Sequence, residues 1–228
     1  MARQLRSEAT RRKLLDAAID EFGEVGYVAA ARTAIIERAG VTKGALYHHF
    51  DSIESLVTAI IEGGFATLMA TFRSMCQPTS PALEGMIHGM FAVSEVLSAD
   101  KEAQAAGHLI FALAQSEELG VRFGSEWATV VGAQTSRAIA EGDLRADLDA
   151  RYVSEAINSA MFGTWLLTHV DGDRIGRVTR MWQALLPGMV VEASLPYFLQ
   201  FVAREELRYR TDGPDVGHRG PTTHQQGR

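Results

Sequence analysis

An all-α protein is what this sequence predicts: a three-helix N-terminal unit containing a helix-turn-helix, followed by a larger helical domain. Three observations carry that expectation. Apolar residues recur at three- and four-residue spacing along most of the chain. Only six prolines interrupt the 228 residues, and no alternating strand pattern or glycine-rich phosphate loop occurs. Residues 32–49 break as two short helices joined by a tight turn would.

The first helix is read from Leu14, Leu15, Ala18, Ile19, Phe22 and Val25, with charged residues between them, and Gly26-Tyr27 ends it. Two short helices follow at about 32–39 and 43–49, joined through Gly40-Val41-Thr42. Gly40 supplies the left-handed backbone the turn needs, and Thr42 is placed to cap the second helix. Asp51-Ser52 caps a long amphipathic helix to about residue 76, apolar at Leu56, Val57, Ile60, Ile61, Phe65, Leu68, Met69 and Phe72. Within it, Gly63 and Gly64 each cost about 1 kcal/mol relative to alanine and read as a flexion point.

Gln77-Pro78-Thr79-Ser80-Pro81 breaks the chain. Helices are then expected at about 82–98, 101–115, 121–141, 149–170 and 174–208, the last interrupted at Pro187 and Pro196. Residues 211–228 hold Val216 as their only aliphatic side chain and are expected to be a disordered tail. The domain division read from this pattern is 1–51, 52–210 and the tail.

Composition narrows the class. With 46% hydrophobic and 22% charged residues the chain is globular rather than disordered. No uninterrupted run of about 18 apolar residues suggests a membrane span, and the charged opening MARQLRSEATRRK carries no apolar export signal. The lone Cys76 cannot form an intramolecular disulfide and is read as a packing residue, consistent with a cytoplasmic location. The net charge of −6 is unevenly spread. Residues 1–50 carry eight Lys/Arg against six Asp/Glu, net +2, which leaves −8 for the remainder. Arg3, Arg6, Arg11, Arg12 and Lys13 form a basic arm that could steer one end toward a polyanion; charge alone fits a solvated terminus better.

In a helix-turn-helix the second helix enters the DNA major groove by its N-terminal residues. Gly44 and Ala45 allow close backbone approach. Lys43 can reach a guanine edge or a phosphate, and Tyr47, one turn on, can bond a phosphate. Leu46 and Phe50 point inward. The spacing equally fits an αα-hairpin with no ligand.

A resemblance separates the two. The segments TRRKLLDAAIDEFGEVGY, IIERAGVTKGALYHHF and DSIESL closely resemble the N-terminal domain of TetR-family transcriptional repressors over about residues 8–60. The resemblance implies that Thr42, Lys43, Gly44, Tyr47, His48 and His49 face palindromic operator DNA, with Arg32 and Thr33 from the preceding helix. It also implies a homodimer with a C-terminal effector domain. Two departures stand out: Ala30-Ala31 replace the usual capping Thr or Ser, and Ile53 replaces a usual Lys, so two phosphate contacts are absent.

A second resemblance rests on MARQLR, Glu126-Trp127, Phe162-Gly163-Thr164, and Met181-Trp182 followed by Gly188-Met189-Val190. These are similar to the γ-butyrolactone receptor subgroup, autoregulator receptors of filamentous actinobacteria that repress antibiotic and developmental genes until a lactone or furan-type signal arrives. The subgroup's pocket tryptophan maps onto Trp127 and its pocket threonine onto Thr164. A γ-butyrolactone, butenolide or furan-type effector is implied; the alternative is a pseudo-receptor of the same fold that answers to an antibiotic or other hydrophobic metabolite.

The residues agree in part. Trp127, Val130, Val131, Gln134 and Ala138 form one helical stripe, and Val153, Ile157, Ala160, Met161, Thr164 and Leu167 another. A flat apolar wall with a few polar anchors suits a small-molecule pocket, to which Phe91, Val131 and Met161 would add apolar surface. Stripe position alone favours a core tryptophan whose N–H bonds a carbonyl; the resemblance reverses that preference.

No Ser-His-acid pattern, paired acids or cofactor loop points to an enzyme, and no cofactor is expected. His88, His108 and His169 show no i, i+4 pair and no accompanying Cys, which disfavours a metal sensor. Ala156, Ala160 and Gly163, with bulk from Met181, Trp182, Leu185, Leu186, Val190, Leu195 and Phe198, read as a two-fold four-helix dimer interface.

Overall fold

Helix α4 (Ile53–Met75) runs through the middle of the protein and organises everything around it. The computed structural model describes residues 2–113 and 118–211, with side chains for 4–113, 121–167 and 172–211. On one side of α4 lie α1 (Ala2–Val25), α2 (Arg32–Ala39) and α3 (Lys43–His49). On the other lie α5 (Ala82–Ala99), α6 (Lys101–Leu113), α7 (Glu118–Glu141), α8 (Ala150–Asp171), α9 (Arg174–Met189) and α10 (Leu195–Thr211), with a 3-10 turn at Glu192–Ser194. Among the described residues no strand forms; Leu144 and Val190 make one isolated bridge. The expected tail lies outside the described residues beyond Thr211.

Local chemistry sets most boundaries. Gly40 ends α2 in the left-handed region (φ 63°, ψ 37°) and Thr42 caps α3. Ser52 and Ser55 form a reciprocal capping box at the start of α4. Length and apolar content alone would let α4 cross a bilayer. Instead Leu56, Val57, Ile60, Ile61, Phe65, Leu68, Met69 and Phe72 are buried inside the protein, while Glu54, Glu62 and Arg73 stay exposed. It is a core helix with one polar face.

Four features depart from expectation. The basic arm is helical from Ala2, forming the exposed first turns of α1, because Arg, Gln, Lys and Ala are good helix formers. Second, the break after α8 falls at residues 190–194 rather than at Pro187. That proline sits inside the last stretch of α9. The helix stops where Arg145 N–H donates to Met189 O at 2.9 Å and Val191 N–H to Asp143 O at 3.1 Å. Pro196 lies in the first turn of α10, where a missing N–H costs no helical bond.

Third, Gly63 and Gly64 form a packing notch rather than a flexion point. A Cβ on Gly64 would stand 2.5 Å from the Ala106 Cβ and 2.5 Å from the Glu102 carbonyl oxygen. On Gly63 it would collide with the Glu102 carboxylate, a flexible group. The glycines let α6 cross α4 at backbone range.

The inward bulk of α9 and α10 also differs from expectation. Met181, Trp182, Leu186, Val190 and Phe198 are buried within this subunit, so they fill its own core and cannot supply a dimer face. The outward stripe left on α8 and α9 includes Ala160, Gly163, Thr164, Leu167, Ala184 and Leu185, with Leu167 49% exposed.

Replacing Gly64 with alanine should destabilise the protein by about 1–3 kcal/mol through overpacking, whereas Gly63→Ala should cost less because only a side-chain tip must move. Thermal unfolding of the two variants checks the order; equal melting temperatures would restore the flexion-point reading.

Candidate DNA interface and ligand cavity

The N-terminal unit presents one exposed edge. Arg38 on α2 bonds Glu24 of α1 at 2.7 and 2.5 Å and reaches Glu21 at 3.4 Å, holding the Glu24 carboxyl below its ordinary value. This pins α2 on α1. The turn then closes through Gly40 N–H to Glu37 O at 3.1 Å and Val41 N–H to Ile36 O at 3.3 Å. Thr42 Oγ1 accepts from Ala45 N–H at 3.2 Å, starting α3 at Lys43. Leu46 and Phe50 are buried with Phe22 and Ile35 in the core, which turns the opposite face of α3 outward.

On that outward face the structure gathers a cationic cluster. The Arg32 Nη1 donates to the Tyr47 hydroxyl at 2.6 Å, with its guanidinium 5.6 Å from the ring centroid. Lys43 Nζ lies 5.9 Å from the same ring. Tyr47 thus orients two cations whose charges stay in solvent. Beside Gly44 a Cβ would meet only Thr42 Oγ1, at 3.9 Å, so the helix tip is open. Thr33, Thr42 and His48 are exposed and His49 is half-buried. The two imidazoles meet edge to face at 5.1 Å. Burial, then the His48 and Arg11 charges, hold the His49 pKa below the ordinary 6.5. As the sequence implied, Ala31 caps α2 without a side-chain bond.

A second site lies on the far side of α4. Phe65 and Leu68 of α4, Val93 and Leu97 of α5, and Gly107 and Ile110 of α6 line half of an apolar cavity. Phe123, Gly124 and Trp127 of α7, with Met161, Phe162 and Trp165 of α8, close the rest around a volume of about 60 Å³. In the lining side chains, carbon and sulfur are relieved only by the two indole nitrogens. Two aromatic pairs tie α7 to α4: Phe65–Phe123 at 4.8 Å and Phe72–Trp127 at 5.0 Å. Trp165 stacks on His108 at 5.3 Å.

Comparison with known proteins follows from this geometry. The sequence profile of bacterial regulatory proteins of the tetR family matches residues 14–60, which span the second half of α1 through the first turns of α4. The A-factor receptor protein of Streptomyces griseus is 29% identical over 197 residues, covering 83% of this chain and 67% of the relative. A γ-butyrolactone receptor structure described as ArpA-like superposes with a TM-score of 0.77 at 26% identity, covering 89% of this chain and 99% of that one. CprB from Streptomyces coelicolor, solved with its biological operator sequence, gives 0.75 at 27% identity over 89% and 99%. Residues 14–60 thus carry the domain of the tetR-family regulatory proteins.

The anticipated effector residues divide. Trp127 and Met161 line the cavity. Phe91 does not: it is fully buried and stacks on Tyr209 of α10 at 5.8 Å. Val131 is core, one turn beyond Trp127. Gln134 accepts from Arg137 Nη1 at 3.3 Å outside the cavity. Thr164 faces the α9 side, where Arg177 and Arg180 share its groove. The stripe on α8 is wide enough to meet more than one neighbour: Met161 turns into the cavity, Trp165 packs on Gly107 and His108 of α6, and Thr164 faces α9.

Trp165, Phe123, Gly107 and Gly124 were missed as cavity residues. A signal existed, since Gly124 and Phe123 precede Trp127 by three and four positions and Trp165 follows Met161 by four. His88 lies 3.2 Å from Arg208 and 3.7 Å from Glu205; the side chain of His169 is outside the described residues. Burial pushes the Cys76 thiol up to about 11, leaving it protonated.

Removing Arg32 should lower the salt slope of operator binding by about 1 per subunit without changing the preferred sequence. Fluorescence anisotropy at graded ionic strength measures it. Because His49 is neutral at neutral pH and a nearby phosphate favours its charged form, binding should take up a proton. Operator affinity should then rise as pH falls from 7 toward 6, and His49→Gln should flatten that rise.

Proposed function

We propose that this protein is a ligand-responsive repressor whose homodimer holds two α3 helices in successive major grooves of a palindromic operator and releases them on binding a γ-butyrolactone, butenolide or furan-type effector. Residues 1–51 form the DNA-binding unit and 52–210 the effector and dimerisation domain, in the cytoplasm. The reading is carried by one observation: α4, which packs on the DNA-binding unit at its start, supplies Phe65 and Leu68 to the cavity three to four turns later.

Roles follow from chemistry. Lys43 and Gly44 approach base edges. Arg32, Thr33, Thr42, Tyr47, His48 and His49 take phosphates, and the basic turns of α1 offset the two phosphate contacts missing at Ala31 and Ile53. In the cavity Trp127 and Met161 supply apolar wall. An indole N–H is the kind of donor a lactone carbonyl needs where nothing else polar is near. The small-residue stripe on α8 and α9 forms the two-fold interface.

Signal transfer runs through the ring pairs. An effector lying against Trp127 displaces Phe72 and Phe65, hence α4, and alters the separation of the two α3 helices. It shifts the equilibrium only by its differential affinity for the released state.

Titration of the labelled operator complex with γ-butyrolactones should release DNA, with tryptophan emission changing in parallel. A ligand that releases DNA and leaves emission of a Trp127-only variant untouched removes Trp127 from the site. Failure to hold any palindromic duplex at low salt, or an unchanged affinity for Lys43→Ala, defeats the repressor reading altogether.

A further inference from the structure

A volume of about 60 Å³ is well below the roughly 300–1,000 Å³ of sites that enclose a whole ligand. An effector larger than a small ring must therefore extend out of the cavity or force its walls apart. The walls are not equally able to yield. On α6, a Cβ at Gly107 would stand 2.8 Å from Trp165 Cζ2, and the ring of the adjacent His108 stacks on the same indole at 5.3 Å. Trp165 is thus held against two successive residues of α6. The α4 wall is held by Phe65 against Phe123 at 4.8 Å.

Gly124 is the exception. It lines the cavity, yet a Cβ built on it meets no atom within 4 Å. Phe162 of α8 also lines the cavity and is itself 36% exposed, so the cavity lies against the surface on its α7–α8 side. Exposed Val121 of α7 and Leu166 of α8 extend an apolar rim along the same two helices. Gly124 sits inside α7, where a glycine is unfavourable for the helix itself, and no positive φ requires it there. Space is what it contributes.

We propose that Gly124 determines specificity in the effector site: the apolar tail of the effector leaves the cavity over this residue, past Phe162, and the side chain at 124 sets the longest tail accepted. This rests on the cavity being the effector site. It names a second portion of the ligand, an unbranched hydrocarbon chain, beyond the headgroup that faces Trp127. Gly124→Ala narrows the passage and Gly124→Leu closes it. The added Cβ meets no atom within 4 Å in the ligand-free protein, and both residues favour helix more than glycine does; operator binding of each variant without ligand is measured alongside.

The full-length dimer and both variants are titrated on labelled operator with γ-lactones bearing ethyl, hexyl or decyl side chains. In parallel, the DNA-free proteins are heated with ethylbenzene or hexylbenzene, uncharged probes that share the tail but not the lactone. Wild type should respond to every chain length. Gly124→Leu should keep its response to the ethyl compounds and lose about tenfold or more in apparent affinity for the longer ones, as expected when two or more buried methylenes are expelled; Gly124→Ala should fall between. If wild type ignores the lactones while hexylbenzene raises its melting temperature and not that of Gly124→Leu, the lactone assignment fails and the role of Gly124 stands. Equal responses of wild type and Gly124→Leu to hexylbenzene overturn that role whatever the lactones do, as does an equal loss at all chain lengths. No response of wild type to either series overturns both.

Discussion

The tight crossing of α4 and α6 at Gly63 and Gly64 is the contact on which the remaining architecture depends. It brings two helix backbones to within reach of a single Cβ, and each helix then serves both halves of the protein. From the crossing α4 runs one way to the helix-turn-helix and the other way to Phe65, Leu68 and Phe72. From the same point α6 offers Lys101 and Glu102 to α1, and Gly107 and Ile110 to the cavity. Widening the crossing by one methyl group would displace the walls of one site and the support of the other together.

The two attachments differ greatly in strength, and the difference suits a switch. Eight buried apolar side chains on α4, each contributing about 1.5–3 kcal/mol, fix that helix in the core. Where α1 meets α6, by contrast, the charged contacts are Arg12–Glu102 at 2.8 Å and Lys101–Asp20 at 3.1 Å, with mostly exposed partners. Exposed pairs of this kind contribute about 0–1 kcal/mol each. These charged contacts can therefore rearrange at little cost, while the buried apolar side chains of α1 remain part of the same core as α4. The ring pairs Phe65–Phe123 and Phe72–Trp127 give the cavity a direct mechanical hold on α4.

Much of the fold was legible in sequence, for reasons that differ along the chain. The limits of α2 and α3 came out at Arg32–Ala39 and Lys43–His49 because their signals are local: a left-handed glycine and a threonine oxygen act within a few residues. The end of α9 was misplaced because proline position was taken as the stop. The stop is a backbone clasp between residues 143–145 and 189–191, a long-range pairing with no mark in composition. The flexion reading of Gly63-Gly64 failed similarly. Glycine in a helix signals either freedom or proximity, and only the neighbouring helix distinguishes them.

The sequence by itself determined that the chain is helical, that residues 32–49 make a helix-turn-helix with Lys43 and Tyr47 outward, and that Trp127 stands on an apolar stripe. Each of these follows from periodicity or capping, which depend on residues a few positions apart. Tertiary structure alone decided that Trp127 and Met161 share a cavity with Trp165, Gly107 and Gly124, while Gln134 and Thr164 face elsewhere. A helical stripe spans more than one neighbour's width, so its residues are divided among partners by the angles at which α6, α7, α8 and α9 cross, and those angles are set by packing between segments distant in the chain.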